Sequence, residues 1–249
     1  MQSAKTRTSC APIAARLQAL GADAAYAAQD IQTRAALKAG RKIVGQKIGL
    51  TSTAVQKQLG VDTPDYGMLF DDMAYGEDEE IPLSRLMQPR VEAEIAFVLA
   101  HGINNPKATL SDAVRAIAYA LPAIEVVDSR IKDWKISLID TVADNASSGV
   151  FVLGGAPKKI DSFDLRLCGM TMELKGEAVS LGCGAACLGN PLNAVVWLAR
   201  KMAQVGRPLR EGDIVLSGAL GPMVSVTPGG AYEAHISGLG RVSAVFSKA

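Results

Sequence analysis

The chain predicts an α+β fold, with a rolled or barrel-like sheet preceded by a small N-terminal helical region. Three observations carry this. Before residue 60 the apolar residues recur mainly at helical spacing. From about Val61 onward, short apolar runs are broken every few residues by glycine, proline or aspartate, as in a sheet turned by tight connections. Only two later segments return to a helical period. The chain therefore divides into a helical region over residues 1–60 and a β-roll domain over residues 61–249.

At the N-terminal end, Ile13, Leu17 and Leu20 share a helical face and Gly21 is placed to end it. Asp23 then stands where it could cap a second helix running through Tyr26 and Ile31 towards Gly40. Lys42–Gly49 reads as a short strand, and Thr51-Ser52 as the cap of a brief helix carrying Val55 and Leu59. Of the two later helices, one starts near Ser111 and turns Val114, Ile117, Ala118 and Leu121 inward. The other runs from about Pro191 through Val195, Leu198, Ala199 and Met202. Strands are predicted at 123–127, 150–153, 165–174, 214–216, 223–226, 231–236 and 242–246. Gly238-Leu-Gly-Arg-Val-Ser243 reads as a hairpin turn, since too little chain follows for a dinucleotide-binding unit.

With 249 residues, 49% of them hydrophobic and 20% charged, the chain can bury a sizeable core as one large domain or two small ones. Lys+Arg 26 against Asp+Glu 25 leaves a formal charge of +1, so no global field favours nucleic acid or an anionic membrane. A small neutral or anionic molecule is the expected partner. No apolar run approaches a membrane span and the opening ten residues lack a secretory core, so a cytoplasmic location is expected. Cys183 and Cys187 form C-x-x-x-C without a second pair or a nearby histidine, and together with Cys10 and Cys168 they read as small buried thiols rather than a zinc set. His101 and His235 stand beside no plausible nucleophile and read as surface or loop residues.

The stretch most informative about function is Arg90-Val-Glu-Ala-Glu-Ile-Ala-Phe-Val-Leu-Ala100. On a strand Glu92 and Glu94 share one face with Ala96 and Val98, their α-carbons about 7 Å apart. Two ionised carboxylates beside apolar walls are costly unless a cation compensates them, and oxygen ligands favour a hard ion such as Mg2+ or Mn2+. The alternative is an edge strand whose polar face meets water. Glu125, between Ile124 and Val126, adds a third acid in an apolar strand, and a shared ion would account for all three. Asp140-Thr-Val-Ala-Asp-Asn-Ala-Ser-Ser-Gly149 is dense in small polar side chains, which could orient a ligand or metal-bound water, or form a capped turn.

Five segments occur in a telling order: Gly45-Gln-Lys-Ile-Gly-Leu-Thr-Ser52, Leu59-Gly-Val-Asp-Thr-Pro-Asp-Tyr-Gly67, Gln88-Pro-Arg-Val-Glu-Ala-Glu94, Glu125-Val-Val-Asp-Ser-Arg130 and Asp140-Thr-Val-Ala-Asp-Asn-Ala-Ser147. Together they resemble the 2-oxopent-4-enoate hydratase (2-hydroxypenta-2,4-dienoate hydratase) family of the fumarylacetoacetate hydrolase superfamily, from about Tyr26 to Phe246. Residues 189–202 and 217–223 resemble the hydratase branch more closely than the related 4-oxalocrotonate decarboxylases. The resemblance implies a mixed β-roll and a hydro-lyase of aromatic hydrocarbon catabolism that makes 4-hydroxy-2-oxopentanoate, with Mg2+ or Mn2+ and no organic cofactor. Residue by residue it implies Glu92, Glu94 and Glu125 as metal ligands, and Lys47, Asp65 and, on a weaker match, Ser147 as catalytic residues. It also implies a homo-oligomer, and an aldolase acting on the product is a conceivable pathway partner. A decarboxylase and a non-catalytic ligand-binding or assembly subunit are the competing expectations. Taken as residues alone, Lys47 could be a surface amine and Asp65 a turn residue after Pro64.

Overall fold

The computed structural model describes residues 3, 6–53, 56–57 and 60–248. A short helix α1 (Ala14–Leu17) passes through a 3-10 turn (Gln18–Leu20) into α2 (Gly21–Lys38). The positive φ of Gly21, 74°, bends the chain at that junction. Gly21 therefore opens the second helix as well as closing the first, and Asp23 lies in its first turn without acting as its cap. The expected brief helix near Thr51 carries its apolar positions, Val55 and Leu59, outside the described residues.

Thirteen strands follow among the described residues: β1 (Ile43–Gly49), β2 (Asp65–Phe70), β3 (Ala74–Tyr75), β4 (Glu80–Ile81), β5 (Pro89–Leu99), β6 (Ile117–Asp128), β7 (Ser148–Leu153), β8 (Gly169–Leu174), β9 (Glu177–Cys183), β10 (Ile214–Leu216), β11 (Val224–Ser225), β12 (Ala231–Ile236) and β13 (Gly240–Phe246). The larger sheet has the order β2-β1-β10-β5-β6-β7-β3, with β11 also paired to β5; the smaller has the order β4-β13-β12-β8-β9. Three pairs are parallel, β1 with β10, β3 with β7 and β4 with β13, so both sheets are mixed. β1 falls within residues 1–60 yet is an interior strand of the larger sheet, so that first segment supplies sheet as well as helix.

Sequence alternation explains the smaller sheet. Tyr232, Ala234 and Ile236 are buried while Glu233 and His235 are exposed, and the expected hairpin joins β12 to β13 through Gly238. Along β5 and β6 one face of the larger sheet is apolar, and there Ala93, Ile95, Phe97, Ile124 and Val126 are all buried. Three further helices are complete among the described residues: α3 (Leu110–Ala116), α4 (Leu138–Ala143) and α5 (Pro191–Gln204), whose cap is Asn190 and whose buried face includes Val195, Leu198, Ala199 and Met202 as expected.

Two expectations fail. The helix from Ser111 does not reach Leu121; it ends at Ala116 with Val114 44% exposed, and Ile117 already begins β6. Pairing with β5 from Pro89↔Asp128 to Leu99↔Ile117 outweighs the helical period of that alanine-rich run. The strand expected over 165–174 begins only at Gly169, because Asp164 Oδ1 accepts hydrogen bonds from the N–H groups of Arg166 and Leu167, and turns the preceding residues. No helix among the described residues is long and apolar enough to cross a membrane.

Candidate active site

Register brings the acids together. β5 and β6 pair antiparallel with Glu92 opposite Glu125 and Glu94 opposite Ala123, so the three glutamates project from one face of two neighbouring strands. One carboxylate oxygen from each lies within 4.8 Å of those of the other two. β5 is an interior strand and Glu94 is fully buried, so this face is no water-washed edge; Glu92 alone is half-buried. Glu94 Oε2 accepts the Gly218 N–H at 2.7 Å, whereas Glu94 Oε1 and both oxygens of Glu125 have no hydrogen-bond partner among the described residues.

Burial therefore pushes all three carboxyls up. Glu92 rises to about 7, through burial and then repulsion from Glu125. Glu94 rises for the same two reasons, joined by Glu92. Burial also raises Glu125, against the pull of Lys47. Unpartnered buried carboxylate oxygens converging on one point are a donor set for a hard divalent cation.

Lys47 enters from β1. In the larger sheet β10 and β5 separate β1 from β6, which in a flat sheet would put the two strands about 14 Å apart. Lys47 Nζ nevertheless lies 3.2 Å from Glu125 Oε1, so the sheet is curled and the site occupies its concave face. The ammonium donates to the Ala146 carbonyl at 3.1 Å. Burial would lower the pKa of Lys47, but Glu125, Asp65, Glu92 and Glu94 together outweigh it and keep the amine charged. Lys47 is only 3% exposed, which removes the surface-amine alternative.

Asp65 opens β2, opposite Gly49, and is 1% exposed rather than a solvated turn residue. A Cβ on Gly49 would stand 2.2 Å from Asp65 Oδ1, and one on Gly45 1.9 Å from the Ile214 carbonyl oxygen, so these glycines make room for neighbouring protein atoms beside Lys47. Burial raises the Asp65 pKa, opposed by Lys47 and by a hydrogen bond from Thr141. Thr141 Oγ1 in turn lies 3.3 Å from Ser147 Oγ, which links the third catalytic candidate to the group.

The segment after Asp140 divides between its two readings. Ser137 and Asp140 form a capping box at the start of α4, and Asp144 is held by the Arg130 guanidinium at 2.6 Å, both features of a capped turn. Thr141, Asn145 and the Ala146 carbonyl instead face the site's framework, where the sequence suggested an orienting role for the segment as a whole but none for these residues singly. Gly218 was missed as well: its φ of 104° and a Cβ position 2.2 Å from Thr51 Oγ1 leave room only for glycine beside Glu94. Cys187 donates to the Ser217 carbonyl at 3.0 Å, its thiol pushed up to about 12 by burial and then by Glu94; it is buried like Cys168, while Cys183 is half-buried. Both histidines are exposed. A cavity of about 450 Å³ is lined by none of the six candidate residues, and its arginines are already engaged: Arg41 and Arg85 by Asp72, Arg130 by Asp144, and Arg7 by the Leu86 carbonyl.

Known proteins share both sequence and fold with this chain. Residues 35–247 match the family described as fumarylacetoacetate (FAA) hydrolase C-terminal. A TodF product hydratase from Pseudomonas putida is 61% identical over 227 residues, covering 91% of this chain and 85% of that protein. A 2-keto-4-pentenoate hydratase from Paraburkholderia xenovorans is 54% identical over 246 residues, covering 99% and 90%. Among solved structures, 4-oxalocrotonate decarboxylase from Pseudomonas putida G7, complexed with magnesium and adipate, superposes with a TM-score of 0.94 at 38% identity, over 98% of this chain and 93% of that one. A match over most of the chain and a shared curled, mixed-sheet α+β architecture place this chain in the fumarylacetoacetate hydrolase family.

Proposed function

We propose that the chain is a divalent-metal-dependent hydro-lyase that adds water to 2-hydroxypenta-2,4-dienoate, the enol of 2-oxopent-4-enoate, to give 4-hydroxy-2-oxopentanoate in aromatic catabolism. The observation that carries the reading is the convergence of Glu92, Glu94 and Glu125, with three buried oxygens that accept no hydrogen bond among the described residues, beside a buried ammonium. The names of relatives at 54–61% identity supply the reaction class.

Glu92, Glu94 and Glu125 would hold the ion, with Gly218 fixing the direction of Glu94. Once bound, a divalent cation supplies Lewis-acid stabilisation of negative charge on a 2-oxoacid's oxygens. In the substrate, a proton arrives at the terminal carbon of the dienol and its hydroxyl proton leaves, giving the 2-oxo-3-enoate. Water adds at C4 and C3 is reprotonated. Lys47 is the group equipped to hold the substrate's anionic end or deliver a proton, because its neighbours keep it charged. Asp65, with a raised pKa and one unpartnered oxygen, is the group equipped to accept a proton from the attacking water. Ser147 and Thr141 offer a hydroxyl pair next to that oxygen pair.

A dienol assay with and without a divalent ion tests the proposal. Disappearance of the dienol with formation of the hydroxy-oxoacid, abolished by chelator and restored by Mg2+ or Mn2+, is the expected result. Undiminished turnover in metal-free enzyme would refute the metal. The likeness to a 4-oxalocrotonate decarboxylase motivates a second reading, carbon dioxide release from 4-oxalocrotonate. Faster decarboxylation than hydration would favour it. Binding without turnover of either compound would instead favour a ligand-binding or assembly subunit. A homo-oligomer and a pathway aldolase that consumes the product belong to the same proposal, the first checked by light scattering.

A further inference from the structure

Asn145, Ala146 and Ser147 take left-handed backbone conformations in succession, with φ of 57°, 52° and 52°. A side chain in that region crowds its own backbone, and of the three only asparagine is commonly found there. Such a run persists where surrounding contacts over-determine it.

Those contacts are specific. Asn145 Nδ2 donates to the Met68 carbonyl at 2.9 Å, and its Oδ1 accepts the Met68 N–H at 2.8 Å. One primary amide thus pairs both backbone groups of one residue, in the manner of a strand neighbour. β2 is the end strand of the larger sheet and has no such neighbour on that side, so the amide supplies it. Close approach is possible because residue 67 is glycine: a Cβ there would lie 2.3 Å from the Asn145 carbonyl oxygen.

The turn delivers two groups to the site. The Ala146 carbonyl accepts from Lys47 Nζ at 3.1 Å, and Ser147 Oγ meets Thr141 Oγ1 at 3.3 Å. An ammonium has three N–H bonds, and four carboxylates surround this one. A fixed carbonyl acceptor decides which way the remaining N–H bonds point, and so prevents the side chain from turning wholly into the acids.

We infer that Asn145 is a positioning residue: its amide, clamped across Met68, holds the left-handed turn that orients Lys47 and Ser147. Asn145 acts only through Ala146 and Ser147. The inference rests on the reading of Lys47 as part of the active site, and its test separates the two.

Asn145→Gly allows the left-handed backbone but deletes both amide bonds, so it isolates the clamp from the conformational preference. In the full-length enzyme, kcat for 2-hydroxypenta-2,4-dienoate should fall about 10-fold to 100-fold, the scale for a catalytic group displaced by about 1 Å. KM and Mn2+ affinity, the latter followed by electron paramagnetic resonance, should stay within about threefold, because the glutamates sit on other strands. In metal-free protein labelled with 15N-lysine, the Lys47 ammonium signal, assigned by its loss in Lys47→Met, should shift or broaden in Asn145→Gly. Unchanged kcat with an unchanged ammonium signal overturns the inference. So does a lower melting temperature with unchanged kcat, which would make Asn145 merely structural. If wild-type enzyme does not turn over the dienol, the functional reading fails, and the ammonium signal still decides the clamp. Should Asn145→Gly not fold, Asn145→Asp, which keeps the acceptor and gives up the donor, is read by the same measurements and should show the same changes to a smaller degree; no change overturns the inference.

Discussion

Glu125 and Asp128 are buried carboxylates three residues apart on β6, and their surroundings could hardly differ more. Asp128 Oδ1 accepts the N–H groups of Met87 at 2.9 Å and Gln88 at 2.6 Å. Its neighbours in the same quarter of the fold are as well served: Asp144 takes two bonds from Arg130, and Asp140 takes the N–H groups of Ile13, Ala14 and Ser137 with the Ser137 hydroxyl. Glu125, on the opposite face, has an ion pair with Lys47 at 3.2 Å but, among the described residues, no hydrogen bond to either oxygen. One set of acids is solvated by the protein and holds the chain together. The other is desolvated and only partly compensated, by one ion pair at Glu125 and one N–H at Glu94, which is the mark of a group kept for something the protein alone does not contain.

If that contrast is right, substitutions should separate activity from stability. Glu125→Gln should lower hydratase turnover by roughly 1000-fold or more, the consequence of removing a proposed ion ligand worth several kcal/mol, while the metal-free protein melts no lower than wild type. Asp128→Ala should do the reverse, costing about 1–3 kcal/mol in denaturant unfolding because two half-buried N–H groups lose their acceptor, with metal affinity retained. A Glu125→Gln protein that is active, or that is strongly destabilised without metal, would erase the distinction.

Gly218→Ala tests whether the backbone N–H that Glu94 receives matters. Its Cβ would collide with Thr51 and its φ would be strained, so the loop must withdraw its N–H from Glu94. Divalent-ion affinity, measured by titration calorimetry, should fall about 10-fold to 100-fold, the usual cost of losing an outer-shell orienting group. No change would mean that Glu94 is oriented without it.

A smaller effect is expected from pH. The folded-state pKa of Glu92 is raised from an ordinary 4.5 to about 7, so the folded state binds the proton more tightly than the unfolded state between those values. That contribution to stability is present below the unfolded pKa and is lost as pH rises through about 4.5 to 7; Glu94 and Glu125 act in the same direction. Asp140 acts oppositely. Burial raises its pKa, but the bonds from Ser137, Ile13 and Ala14 more than offset this, so its contribution is lost only as pH falls below the ordinary aspartate range. Metal-free protein should therefore melt lower at pH 7 than at pH 5, and added Mg2+ should raise the melting temperature most at the higher pH. A melting temperature that rises between pH 5 and pH 7 without metal would contradict the raised carboxyls. The smallest effect belongs to Val114→Lys on the exposed face of α3, where stability should change by no more than about 0.5 kcal/mol. A large loss would restore the buried helical face that the sequence suggested.

The outcome at Val114 shows where sequence periodicity stops being informative. Ser111 to Leu121 has a helical pattern, but from Ile117 the same residues open a twelve-residue strand because β5 lies beside them. Glu92 and Glu94 were legible as a pair because their relation is local, i to i+2 on a strand. Glu125 was legible as an oddity, a charge among branched apolar residues, and only the β5–β6 register makes it the third member. Lys47 and Asp65 carried no signal of burial in their own neighbourhoods; the resemblance alone singled them out, since Gly49 meets Asp65 through strand pairing. Asn145 could have been noticed in Asp-Asn-Ala-Ser as a residue tolerant of left-handed backbone, but its partner Met68 is distant in sequence and nothing local names it.

The parallel pairing of β1 with β10 has a consequence for the order of events in folding. Gly45 is paired with Ile214, and the N–H that steers Glu94 comes from Gly218, so the concave site closes only when the last quarter of the chain reaches the first. Contacts between such remote segments require the loss of loop entropy before they give anything back, and they form late. A divalent ion would then find no finished cage in the transition state for folding, and its binding energy would act on the rate at which the native protein opens. The ion would serve as a latch fitted after assembly, prolonging the life of the folded enzyme without hastening its formation.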